Sequence, residues 1–194
     1  MLRLRQAELT SEVAETSYRL RRVEHRIQQI DQEGIMSSPH VTMKRVEPTV
    51  IAELRGVAVE FSPENIGPVI QPMYPQLFQA LATAAVVPLG PPIAYYNDVN
   101  GGDGIVVHAG VEVAPNAALP EPITLSCLSA IEQAASILHH GSMEHIEQTY
   151  EAMLAWLHAH DLRTVGYSRE VYVACPGDVT QWVTELQFAV ERCE

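Results

Sequence analysis

The chain has 194 residues, 47% of them hydrophobic and only 19% charged, with a formal net charge of −12. That is enough apolar material for one ordinary core plus an appendage. No run reaches the ~18 uninterrupted apolar residues of a membrane span, and the opening Met-Leu-Arg-Leu-Arg-Gln lacks the apolar core of a signal peptide, so a cytoplasmic protein without membrane contact is expected. The charge is uneven: residues 1–33 hold six Arg and six Asp/Glu, while the rest carries six basic and 18 acidic residues. Such an acidic body repels phosphate backbones, which excludes DNA binding by this part alone, and it attracts cationic small molecules.

Residues 2–33 contain neither Gly nor Pro and predict one helix. Leu2, Gln6, Leu9, Val13, Thr16, Leu20, Val23, Ile27 and Ile30 follow an alternating four-three rhythm, a narrow heptad seam with polar exceptions at Gln6 and Thr16. A docked helix would show a wider stripe, so a coiled coil over residues 1–33 and a homodimer through residues 2–33 are expected. Gly34 ends the helix, and residues 34–40 read as a linker.

Strand signals begin at Val41–Glu47 and continue over Thr49–Glu60. Residues 64–85 have helical spacing but are interrupted by Pro68, Pro72 and Pro75, each costing about 3 kcal/mol inside a helix. A bent first half is expected, with a regular part from Pro75, where proline suits the first turn. Strands follow over Pro92–Asp98 and Ile105–Val113, joined at Asn100-Gly-Gly-Asp-Gly104, a strong turn signal. The pattern then repeats: strand-like runs at 123–129 and 131–139, a helix opened by Gly141-Ser142 with Ser142 as its cap, and strands at 164–175 and 179–190. Each half thus reads strand (broken in two), helix, strand, strand.

Three scattered cysteines give no zinc or disulfide spacing. Cys127 and Cys175 read as small buried hydrophobes and Cys193 as a frayed terminal residue. His139, His140, His145, His158 and His160 straddle a strand end and a helix without ligand spacing, so they read as solvated and no metal is expected.

Glu170 stands out within Tyr167-Ser-Arg-Glu-Val-Tyr-Val. Its position alone leaves two readings: the polar anchor of an aromatic pocket, or a solvent-facing glutamate paired with Arg169 or Arg163. Tyr172 shares its strand face. Tyr95 and Tyr96 point to opposite faces, so only one can line a cleft with Glu170. Phe61 and Met143 are plausible walls, His108 faces either the cleft or a neighbour, Trp182 and Tyr167 are lid or edge residues, and Glu185 orients structure.

Ala134-Ala-Ser-Ile-Leu-His-His-Gly-Ser142, the helix from Ile146 to Trp156, Arg169-Glu-Val-Tyr172, Pro176-Gly and Thr184-Glu-Leu-Gln-Phe188 together resemble the GyrI-like effector-binding domain of MerR-type and AraC-type regulators. The resemblance spans residues 41–192. It implies an α+β fold of two pseudo-twofold βαββ halves of the SH2-motif kind, with an aromatic ligand pocket at their junction. It also implies a lipophilic, cationic effector met by an acidic residue, here Glu170, and no cofactor. A long dimerising helix before the domain matches the MerR-type arrangement, whereas the winged helix-turn-helix is not in this sequence, so DNA would be reached only through another domain. The departures are Met143, where the family often has an aromatic residue, and the prolines of the first helix. Stand-alone relatives imply an alternative, hydrolysis of reactive lipophilic compounds by Glu170 and Tyr95, Tyr96 or Tyr172. The coiled coil favours a sensor, with no catalytic residue expected. A headless partner forming mixed dimers is a third reading.

Overall fold

The computed structural model describes residues 40–99 and 101–193; the predicted coiled coil, nearly all of the linker and Asn100 of the predicted turn lie outside them. Nine strands form antiparallel pairings: β1 (Thr42–Val46), β2 (Thr49–Ala58), β3 (Pro92–Asp98), β4 (Ile105–Glu112), β5 (Thr124–Leu128), β6 (Ile131–His140), β7 (Leu162–Thr164), β8 (Arg169–Ala174) and β9 (Val183–Arg192). Three helices accompany them: α1 (Pro63–Ile70), α2 (Met73–Thr83) and α3 (Ile146–Ala159). The fold is α+β, as expected.

The strand order is β1-β6-β9-β8-β3-β4-β2-β5, with β7 attached to β9. Outward from the central β8–β3 seam the order is the same on both sides: third strand of a half, fourth strand, second strand, then a short edge. The edges are exchanged. β1 precedes β2 in sequence yet pairs with β6, and β5 precedes β6 yet pairs with β2. The long strand that reads as broken in two in each half is therefore two strands, one lent to the opposite half. Glu47-Pro48 and Ser129-Ala130 are the crossing points.

Alternation along the strands builds two cores on one sheet face. Ala52 and Leu54 of β2 and Val107, Ala109 and Val111 of β4 pack under α1 and α2 with Ile66, Leu77 and Leu81. Ala135 and Ile137 of β6 and Leu186 and Phe188 of β9 pack under α3 with Met153 and Leu157. Full burial of a Val, Leu, Ile, Met or Phe side chain contributes about 1.5–3 kcal/mol, and of an alanine methyl less.

The predicted helix over 64–85 is two helices. Pro63 sits in the first turn of α1, Pro68 lies inside it, and the chain breaks at Gln71-Pro72. α2 begins two residues before Pro75, which keeps that proline in the first turn, where its missing N–H is harmless. The run predicted at 164–175 is divided at Gly166, whose φ of +74° suits glycine, into β7 and β8. The strand predicted from 179 begins later. Asp178 accepts from the Thr180 N–H at 3.0 Å and forms a 3-10 turn over Val179–Gln181 before β9. Ser142 does cap, accepting from the Glu144 N–H, but what it caps is a 3-10 turn, Met143–His145, that leads into α3. Two further expectations are corrected. Cys127 and Cys175 are exposed: Cys127 lies on the short edge strand β5, and Cys175 lies just past the end of β8. His139 is buried rather than solvated, with Nδ1 bonded to Thr149 Oγ1 at 2.8 Å and Nε2 to the Ser142 carbonyl at 3.0 Å; it ties the end of β6 to α3.

Candidate functional site

A cavity of about 820 Å³ lies between the helices and the central strands, within the ~300–1,000 Å³ usual for small-molecule sites. β8 contributes Glu170 and Tyr172, and β3 contributes Pro92 and Tyr96. The register explains the grouping: Glu170 pairs with Ala94 across the β3–β8 seam, so Glu170, Tyr172 and Tyr96 share one face. Phe61 and Ile66 line a wall from the α1 side, Tyr74 and Phe78 from α2, and Ile146 and Tyr150 from α3, with Met143 just ahead of it. Aromatic edges interlock there: Phe61 meets Tyr96 at 4.9 Å and Tyr150 at 6.0 Å, both edge to face, and Tyr74 meets Tyr172 at 5.6 Å.

Glu170 is 4% exposed and has no cationic partner among the described residues. Tyr172 donates to its Oε2 at 2.9 Å and Tyr150 to its Oε1 at 3.3 Å. Ser168, also buried, is bonded to the Tyr150 hydroxyl. Both Tyr150 bonds are made when Ser168 donates to Tyr150 and Tyr150 donates to Glu170. Burial pushes the Glu170 carboxyl above its ordinary value, and attraction to the hydroxyls of Tyr172, Tyr96 and Tyr150 offsets only part of that rise. Burial and the nearby Glu170 charge in turn push the tyrosine hydroxyls well up, so they remain protonated donors. Among the described residues, no Lys, Arg or His lines the cavity. The arrangement is a largely aromatic chamber with one buried, under-compensated negative group at its inner end.

Tyr95 and His108 do not join this site. Period-two alternation puts them on the opposite sheet face, where their rings stack at 4.0 Å and both bond to Glu53. Ser126 donates to Glu53 at 2.6 Å and Arg55 at 2.7 Å. Burial alone would raise the Glu53 carboxyl, but the hydrogen bonds from His108, Ser126, Tyr95 and Arg55 hold it at about 2. This is a satisfied structural network joining β2, β3, β4 and β5. Glu185 has a similar place in the other half, bonded to Lys44, Ser136 and Gln187. Of the two lid residues considered, Trp182 lines the cavity with its indole N–H on the Pro176 carbonyl at 2.8 Å, and Tyr167 packs on Phe61 and donates to Asp98.

Tyr150 and Tyr74 line the cavity and Ser168 supports Tyr150 from behind, and sequence reasoning singles out none of the three. Tyr150 shares its helical stripe with Ile146 and Leu154, which marks it as inward-facing. That its hydroxyl meets a strand glutamate depends on how α3 packs, and no local pattern carries that.

The sequence matches the GyrI-like small molecule binding domain over residues 41–191. Among proteins of curated function none matches it. Solved structures share the fold. EcmrR in its DNA complex is 20% identical, with 98% of this chain and 71% of that chain covered and a TM-score of 0.66. The EcmrR C-terminal domain is 17% identical, covering 79% and 98%, with a TM-score of 0.61. SAV2435 bound to tetraphenylphosphonium is 12% identical, covering 78% and 94%, with a TM-score of 0.58. With the family match running from β1 to β9, through every strand and helix that shapes the cavity, the chain belongs to the GyrI-like small molecule binding domain family.

Proposed function

We propose that this chain is the ligand-sensing region of a MerR-type transcriptional regulator, and that Glu170 reads the positive charge of a lipophilic effector. The observation that carries the reading is a carboxylate buried in an aromatic cavity that has no cationic side chain in its lining among the described residues. A flat apolar molecule gains about 25 cal/mol for each Å² of apolar area it removes from water there, and the faces of Tyr96, Phe61 and Tyr172 add cation–π attraction. Glu170 supplies selectivity, because an organic cation neutralises a charge that is costly to leave buried. Residues 2–33 form the dimer seam, and DNA contact is made by a domain other than residues 1–194. Two structures of the same fold support the reading: SAV2435 is bound to tetraphenylphosphonium, and EcmrR is in complex with DNA.

Titration calorimetry with tetraphenylphosphonium and neutral triphenylphosphine oxide tests it. Glu170→Gln weakens the phosphonium by roughly 30-fold or more, as expected on losing a buried charge partner, and changes the oxide by less than about threefold. Equal losses for the two compounds would overturn the charge-reading role.

A further inference from the structure

Three carboxylates at the mouth of the cavity have no part in the function just described. Glu144 in the 3-10 turn and Glu147 and Glu151 on α3 line the opening and are exposed. None of them joins an ion pair among the described residues. Glu147 and Glu151 stand four residues apart on one helix face, a like-charge spacing that works against the helix, and α3 carries no Lys or Arg to relieve it. A solvated acidic face would explain acidic residues anywhere on this chain. It does not explain an apolar chamber opening beside them.

The inner end also holds more polar capacity than the protein uses. The Tyr74 hydroxyl, on the α2 wall, is buried and has no hydrogen-bond partner among the described residues. Its neighbour Tyr172 already donates to Glu170. The cavity is therefore polar within, apolar along its walls and negative at its mouth. Tyr150 sets the depth between the two charged ends. It leaves α3 between Glu147 and Glu151, and its hydroxyl reaches Glu170.

We infer that the effector is an elongated lipophilic dication, with one charge at Glu170, its apolar body against Phe61, Ile66 and Tyr96, and its second charge held at the mouth by Glu147 and Glu151. The spacing between its charges is on the scale of one tyrosine side chain. This rests on the cation-reading role of Glu170, and the test separates the two.

The probes are 1,1′-dibenzyl-4,4′-bipyridinium and its monocationic isostere, in which carbon replaces one ring nitrogen. Both are titrated into the full chain at low and high salt. The wild-type protein binds the dication about tenfold more tightly at low salt, and the preference shrinks as salt is added. Glu147→Gln/Glu151→Gln removes that preference, weakening the dication about tenfold and the monocation no more than threefold. Asp103→Asn/Glu121→Gln deletes the same charge at exposed positions away from the cavity and keeps the preference. Equal affinity of the two probes for the wild type, equal losses of both in the mouth variant, or the same loss in the remote variant overturns the inference. If Glu170→Gln leaves both affinities unchanged, the parent reading fails. A dication preference that then persists and still depends on Glu147 and Glu151 upholds the mouth site by itself. Removing the like-charge pair leaves helicity intact, so a drop in melting temperature does not account for the expected result.

Discussion

Glu170 occupies a position that most carboxylates avoid. It is buried, it accepts from tyrosine hydroxyls and it meets no cation among the described residues. Its pKa lies above the ordinary carboxylate value because burial outweighs those donors. The folded state therefore binds this proton more tightly than the unfolded state does. The stability contribution is full below the unfolded pKa and is lost as pH rises through the raised folded pKa. Cation binding has the opposite sign, since it needs the ionised form. Affinity for tetraphenylphosphonium is expected to rise about tenfold per pH unit up to the folded pKa and to level off above it. Glu170→Gln flattens that profile and gives an unliganded protein whose melting temperature no longer falls across the same window. Calorimetry and thermal melts over a pH series check both. At this scale the sequence was legible where alternation suffices: Glu170 and Tyr172 share a face, and Tyr95 and Tyr96 do not. It was not legible where two distant elements meet. Nothing near Glu53 foretells that His108, Ser126, Tyr95 and Arg55 converge on it from three other strands and its own.

The helices decide the shape of the cavity, and their approach to the sheet depends on small residues beneath them. Gly56 on β2 is the tightest such point, since a Cβ there would lie 2.5 Å from Val69 Cγ1 and 3.5 Å from Met73 Sδ. Gly56→Ala therefore lifts α1 and the start of α2 from the sheet. The expected cost is about 1–3 kcal/mol, as for other overpacked cores, with weaker ligand binding because Tyr74 and Ile66 move with the helices. Urea denaturation and a ligand titration on the same variant measure the two effects. The helical periodicity of residues 64–85 foretold a helical region here, and the prolines foretold its irregularity. The location of the break at Gln71-Pro72 was not legible, because Pro68, which reads as an interruption just as Pro72 does, is accommodated inside α1. Likewise the 3-10 turn at Val179–Gln181 turns on the Asp178 side chain bonding Thr180, a local competitor to strand formation.

At the level of the whole molecule, we propose that the sensor works as a dimer. The heptad seam of residues 2–33 supplies that prediction, and those residues lie outside the described structure. Sedimentation equilibrium of the full chain is expected to give twice the 21.4 kDa chain mass. Val13→Asp/Leu20→Asp, at two seam positions, should give the monomer mass while leaving tetraphenylphosphonium affinity within about twofold, because the described residues that line the cavity all lie between 61 and 182. A variant that stays dimeric would place the association elsewhere. The duplicated grammar of strand, helix, strand, strand was legible as a pattern. The exchange of the edge strands was not, since Thr42–Val46 and Thr124–Leu128 carry no local mark of which half will receive them.

That exchange separates ancestry from neighbourhood in this domain. Val41, at the start of the first half, packs on the core of the second, and Ile123, at the start of the second, is buried in the core of the first. A substitution at either place is inherited with one half and felt in the other. The two repeats are therefore poor units for recombination: a hybrid that swaps one half for a relative's also swaps a border strand in the half it meant to keep.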